Sequence, residues 1–408
     1  MTLTKDTYAT AEAVRDYNFR RINEGGFKYV VAQYNNTSYG RFAKNKLVSC
    51  LPNMTDTESL KERLTVLPDY DEQDRYLPPA QRIHRVEMLA RFMLPLKRLV
   101  NLAQWLDATL VEGYAGREPH EAGANELLQK LYESNNLGNY LDSDGGAQFS
   151  SALLGTPGCG KSFGTAAIRN LYPPCIFHPS ISHWQIPFLS IEMAYNGTSL
   201  ATLADSILHA LDTKYPAGNY RAEVIDTRMN AEQKLLKAFQ LMHVHSVGLL
   251  HVDEAQNRNY GWDFMADPTA DKKVKSKRGD QTPLASLLVM ASNVMRIPLL
   301  LTGTPELQAL LGHRFSLLRR TVDDGSGDWK PLSIRCAPGK TTTEFGYYLN
   351  AMWEFDWTDA PVELTPELNK LFFHYSAGVP DALRKLYQNV QRYCIREKSS
   401  FQLRWFKN

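Results

Sequence analysis

Ser150-Ser151-Ala152-Leu153-Leu154-Gly155-Thr156-Pro157-Gly158-Cys159-Gly160-Lys161-Ser162 is the stretch that decides the fold. Its first five residues read as a short buried strand, and the rest is Gly-x-x-x-x-Gly-Lys-Ser opening a helix. Glycines in such a loop let backbone amides curl around phosphate oxygens, where side chains would obstruct the approach. The following helix turns its partially positive N-terminus toward the same anion. Lys161 is placed to reach β- and γ-phosphates, and Ser162 to ligate Mg²⁺. The reading therefore assigns Gly155, Thr156, Pro157, Gly158, Cys159, Gly160, Lys161 and Ser162 to ATP, with Ser162 also a metal ligand.

Downstream, Gly248-Leu249-Leu250-His251-Val252-Asp253-Glu254 reads as a buried strand ending in two acids. Asp253 can hold Mg²⁺, and Glu254 can polarise an attacking water as general base. An adjacent glutamate favours a hydrolase over a kinase, whose nucleophile is not water. A third strand, Ile297–Leu301, ends in Thr302-Gly303-Thr304-Pro305. A hydroxyl there can orient the water or sense the γ-phosphate. Thr304 is preferred to Thr302, and Thr304 with Pro305 also fits the start of a helix. Arg319 and Arg320, with Arg314 behind them, are candidates for an arginine that reaches a neighbouring subunit's γ-phosphate. The alternative for these arginines is a solvated helix end.

Around these motifs, short apolar runs alternate with helical segments: Ser150–Leu154, Cys175–Phe177, Phe188–Ile191, Gly248–Val252 and Ile297–Leu301. That alternation predicts an α/β fold, a parallel sheet covered by helices on both faces. Upstream, apolar residues at helical spacing from Gln81 to Val111 are interrupted by Pro95, predicting two helices or a kinked one, with Gly113 at the end. From Thr341 onward the chain reads as helices only, over about 341–354, 365–377 and 380–396. The domain reading is residues 1–80 as an N-terminal module of unknown role, 81–340 as the ATPase core with its preceding helices, and 341–408 as a helical lid and tail.

The chain has 408 residues, 22% charged and 43% hydrophobic, with a net charge of +2. This is globular composition and excludes a largely disordered chain. Five scattered cysteines with no C-x-x-C pair argue against a disulfide framework or zinc site and fit a reducing cytoplasm. His243 and His245 are read as solvated at a helix end rather than as a metal pair. No signal peptide and no membrane span are expected.

Taken together, the two phosphate motifs, the strand end at Thr302–Pro305, the arginine pair and the C-terminal helices resemble an AAA+ ATPase. His251-Val252-Asp253-Glu254-Ala255-Gln256, Leu301-Thr302-Gly303-Thr304-Pro305-Glu306 and Arg319-Arg320 are similar to the TnsC/TniB family of transposon ATPases. Gly113-Tyr114-Ala115-Gly116-Arg117 also looks like the region preceding the ATPase core in TnsC. The resemblance spans about residues 80–396 and implies an ATP-dependent homo-oligomer, ring or helical filament, on duplex DNA. It further implies that the oligomer links a TniQ/TnsD-like target selector to a TnsA/TnsB-like transposase and is reset by hydrolysis. A replication initiator or helicase loader is the alternative, but little chain follows residue 396 to build a winged helix. One position departs from the AAA+ pattern: Asp381 stands where a lid arginine is expected, with Arg384 a turn further.

Near-neutral charge does not exclude a local basic patch. Lys272, Lys273, Lys275, Lys277 and Arg278 fall within seven residues and can follow a DNA backbone. Their surroundings, residues 257–281, carry a net charge of only +2, so a solvated loop is the competing reading. The tail mixes Arg392, Arg396, Lys398, Arg404 and Lys407 with Phe401, Trp405 and Phe406. It suits partner docking, with the transposase as the expected partner, ahead of nucleic acid.

Overall fold

The computed structural model describes residues 20–24, 27–34, 39–119, 129, 150–193, 200–257, 295–307, 327–336, 339 and 341–398. The chain begins with strands β1 (Arg20–Glu24) and β2 (Phe27–Val31), then helices α1 (Lys46–Ser49), α2 (Thr57–Leu64), α3 (Pro79–Glu87) and α4 (Lys97–Gly113). Next come β3 (Ser150–Gly155), α5 (Lys161–Asn170), β4 (Ile176–His178), β5 (His183–Gln185) and β6 (Phe188–Glu192). Helices α6 (Leu200–Lys214), α7 (Tyr220–Ile225) and α8 (Ala231–Val244) lead to β7 (Leu249–Asp253), β8 (Leu299–Gly303) and β9 (Asp328–Trp329). The C-terminal helices are α9 (Glu344–Trp353), α10 (Pro366–Ser376) and α11 (Pro380–Glu397). Helix starts follow local chemistry: Asp56, Asn230, Thr343 and Thr365 cap α2, α8, α9 and α10 through their side chains.

Five strands form one parallel sheet in the order β6-β7-β8-β3-β9. Successive residues alternate between its faces, as pleating requires. Ala152, Leu154, Leu250, Val252, Leu299 and Leu301 pack with Leu203 and Ile207 of α6 and Phe239 of α8. Leu153, Leu249 and Leu300 point the other way, onto Leu99 and Leu106 of α4 and Ile168 of α5. Both faces are buried, and so the strands are largely apolar. This is the expected α/β architecture with one correction. The run Cys175–Phe177 does not enter the parallel sheet. As β4 it joins a second, four-stranded sheet, β1-β2-β4-β5, where Val30 and Val31 pair in parallel with Ile176 and Phe177. The fifth position in the parallel sheet belongs instead to β9.

The segments upstream of the phosphate loop pack into two different clusters. Val30, Leu47, Leu60 and Leu64 lie in the same buried cluster as the α4 face and the β3 strand, so this stretch is built into the core. Within residues 70–96 Met93 joins the same cluster, but most apolar side chains pack elsewhere. Val86, Leu89, Phe92 and Leu96 are buried with Phe345, Trp357, Phe372, Leu383 and Tyr387 of the C-terminal helical region. Tyr70 Oη and Arg75 Nε both donate to the Asp356 carbonyl, at 3.0 and 2.9 Å. Gln388 Nε2 donates to the Val86 carbonyl at 3.1 Å, and Arg82 pairs with Asp359 at 3.1 Å. The break at Pro95 thus separates two destinations: α3 joins the lid and α4 joins the core. Gly113 ends α4 for a reason other than a left-handed cap, because a Cβ there would lie 2.5 Å from the Pro298 ring.

His243 and His245 correct a second expectation. Both are buried, and Tyr220 Oη meets His245 Nε2 at 2.6 Å. All five cysteines are free, four of them buried. Among the described residues no helix is long and apolar enough to cross a membrane.

Candidate active site

Because β3, β7 and β8 are parallel, their carboxyl ends open on one edge of the sheet, and β8 lies between the other two. That edge brings together the Gly155–Ser162 loop, Asp253-Glu254 and Thr302–Thr304. The loop needs its glycines. Gly158 and Gly160 hold φ of +80° and +91°, and a Cβ on Gly155 would lie 2.5 Å from the Trp329 carbonyl on β9. Lys161 Nζ donates to the Gly155 carbonyl at 2.6 Å and the Thr156 carbonyl at 3.3 Å. Burial pulls its pKa below the ordinary lysine value, while Cys159, Glu254 and Asp253 act in the opposite direction. The ammonium is therefore buried at the start of α5, where a phosphate would meet it. Cys159 is buried, with its Sγ 2.8 Å from Thr156 Oγ1.

Asp253 is held from several sides. Burial alone would raise its pKa, but hydrogen bonds from Thr302 and Ser162, the nearby His251 and the Glu254 backbone N–H together hold it below the carboxylate range. The residues fit Mg²⁺: the Ser162 hydroxyl and the Asp253 carboxylate are hard oxygen donors brought into hydrogen-bond contact. Among the described residues no three His, Cys, Asp or Glu side chains converge, so such an ion would be shared with substrate phosphates. Glu254 sits one residue on with a left-handed φ of +50°, which turns it out of the strand.

Two features of the edge escaped the sequence reading. Thr302, the second choice there, has a fully buried side chain whose hydroxyl donates to Asp253 Oδ1. Thr304 contributes its backbone N–H to Gln256 Oε1 at 3.1 Å and begins the next turn, where Leu307 N–H bonds its carbonyl. Gln256 also donates through Nε2 to the Glu254 carboxylate. It therefore ties the general-base candidate to the end of β8. The one sequence signal for this was Gly303, since a Cβ there would lie 2.6 Å from Gln256 Oε1.

The lid closes over the loop. Asp381 N–H donates to the Gly158 carbonyl at 3.2 Å, and a Cβ on Gly158 would meet Val379 at 2.9 Å. Arg384 is engaged within its own helix, donating to Asp381 at 2.5 Å and Gln388 at 2.9 Å. Burial would raise the Asp381 pKa, but Lys385 and Arg384 outweigh it and hold the carboxyl below its usual range. The departure seen in sequence is thus an internal ion pair beside the phosphate loop. Arg314, Arg319 and Arg320, the basic run Lys272, Lys273, Lys275, Lys277 and Arg278, and the tail from residue 399 lie outside the described residues.

Residues 146–311 match a family model described as an AAA domain. No curated protein matches the chain. An AAA domain of the AAA+ ATPase type is therefore present, and the five-stranded parallel sheet with its helical C-terminal region has that fold. Domains of this family generally bind and hydrolyse ATP.

Proposed function

We propose that this chain is an ATP-hydrolysing assembly factor of transposition that oligomerises on duplex DNA and connects a target selector to a transposase. The observation that supports it most is the meeting of Lys161, Ser162, Asp253 and Glu254 at one sheet edge under the lid. In this reading the loop amides and Lys161 bind the β- and γ-phosphates, and Ser162 and Asp253 hold Mg²⁺. When bound, that ion neutralises phosphate charge. Glu254, oriented by Gln256, accepts a proton from the attacking water. The DNA and transposase parts draw on the similarity of His251–Gln256 and Leu301–Glu306 to TnsC/TniB proteins and on the basic run 272–278.

The first test is ATP hydrolysis by the parent and by Lys161→Ala, where activity should fall to background. The second is electron microscopy with duplex DNA and a non-hydrolysable ATP analogue, where rings or filaments should form only with both ligands. Absence of DNA-dependent oligomers from an active ATPase would overturn the assembly reading while leaving the hydrolase intact.

A further inference from the structure

His251 is 2% exposed on β7, two residues before Asp253, and its ring is bonded on both sides. Nδ1 lies 2.9 Å from Ser190 Oγ, and Nε2 lies 2.9 Å from Thr302 Oγ1. Ser190 and His251 are register partners on adjacent strands, so sheet pairing itself fixes the first contact. The Thr302 hydroxyl in turn donates to Asp253 Oδ1.

Hydrogen-bond chemistry sets the direction of this chain. An ionised carboxylate only accepts, so the single Thr302 proton goes to Asp253. Toward His251 the Thr302 oxygen can then only accept, and Nε2 must carry the hydrogen in either charge state of the ring. The imidazole holds the threonine hydroxyl in the one rotation that serves Asp253. A three-strand series of side chains, Ser190, His251 and Thr302 on β6, β7 and β8, ends on the residue assigned to Mg²⁺.

We propose that His251 is a positioning residue for Asp253, acting through Thr302, and that it sets the Mg²⁺ affinity of the site. This rests on the nucleotide reading above. A free carboxylate at a strand end samples several rotamers, and one oxygen fixed by a donor leaves the group oriented toward Ser162. Outer-shell donors of this kind change metal affinity by about 10- to 100-fold when removed.

The test uses the full chain and measures affinity for a non-hydrolysable ATP analogue as a function of Mg²⁺ concentration. His251→Asn keeps a polar group facing Ser190 but falls short of Thr302, and it should raise the Mg²⁺ half-saturation by about tenfold or more. His251→Gln places an amide N–H near the Nε2 position and should stay within about twofold of the parent, since second-shell effects follow the donor lost. Thr302→Val removes that link and the donor to Asp253 together, with little change in shape. It should be at least as severe as His251→Asn, and the double variant should be no worse than Thr302→Val alone, because residues of one network are not additive. A folded His251→Asn or Thr302→Val protein with the parent's Mg²⁺ dependence overturns the proposal, even if its melting temperature has dropped. A parent that binds the analogue equally with and without Mg²⁺ overturns the nucleotide reading and this proposal together.

Discussion

The sheet edge and the lid are both assembled from segments far apart in the chain, but by different means. At the edge, Asp253 and Thr302 come from two strand ends and Lys161 from the helix start that follows a third strand, and each segment carries residue types that chemistry fixes: glycines, a lysine, a hydroxyl, adjacent acids. In the lid, residues 70–96 meet residues 345–395 through a shared apolar cluster and hydrogen bonds to backbone carbonyls. Any apolar face of the right shape would serve there. A site made of special residues announces itself in sequence, whereas a joint made of packing does not. The two regions should also fail differently.

The largest expected effect belongs to the edge. Glu254→Gln removes the carboxylate proposed as general base and keeps its shape and its place beside Gln256. Hydrolysis should fall by about 10²- to 10⁴-fold. Affinity for ATP and the melting temperature should stay close to the parent's. Single-turnover hydrolysis, equilibrium nucleotide binding and thermal unfolding together check this. Loss of binding along with turnover would mean that Glu254 holds the nucleotide or the fold, and the edge would then resemble the lid in its mode of failure.

Trp357→Ala probes the lid. Trp357 is fully buried between α3 and the C-terminal helices, and its carbonyl accepts from Arg82 Nη1 at 3.2 Å. Deleting the indole should cost about 3–5 kcal/mol of stability. Hydrogen exchange locates the loss. If residues 70–96 are part of the lid, amides of α3 should lose protection together with those of α9 and α11. Protection of α3 that instead follows the core helix α4 would break the division drawn at Pro95.

That division shows how far a sequence carries. The loop at Gly155–Ser162, the pair Asp253-Glu254, the sheet and the C-terminal helices were legible because phosphate chemistry restricts residue type and periodicity restricts element type. Pro95 marked a break, but nothing local states that the helix before it packs on a residue 302 positions away. Cys175–Phe177 has the composition of a core strand, and only pairing with Val30 and Val31 assigns it to a second sheet. Asp328–Trp329 is two residues long and has no period to read. Gln256 and the choice of Thr302 over Thr304 as donor to Asp253 depend on rotamers across strands, which spacing does not encode.

The smallest effect separates the regions by pH. The buried groups whose protonation responds most lie in the core. Burial lowers His178 and His245 to about 4 and pulls His251 down as well, whereas burial raises Asp107 to about 7 against hydrogen bonds from Tyr172 and Tyr39. A depressed histidine contributes stability that is present above its ordinary pKa of about 6.5 and is lost as pH falls toward 4. A raised aspartate has the opposite sign: its contribution is present below about 4 and is lost as pH rises through 7. Between pH 8 and 6.5 the folded core protonates Asp107, but the unfolded chain already protonates the three histidines in part and keeps the proton of Lys214, which burial lowers to about 8 in the core, so stability should fall only slightly. Below 6.5 three histidines oppose one aspartate, and the core should lose stability faster, at up to about 1.4 kcal/mol per pH unit for each unmatched proton. Asp107→Asn removes the one opposing proton and should steepen the decline on both sides of pH 6.5. Exchange at pH 5 should loosen α4 and the β2–β4 pairing before the lid helices, since no described histidine is buried in the lid. An Asp107→Asn protein whose melting temperature follows the parent's pH dependence would show Asp107 ionised throughout, its two tyrosine donors outweighing its burial.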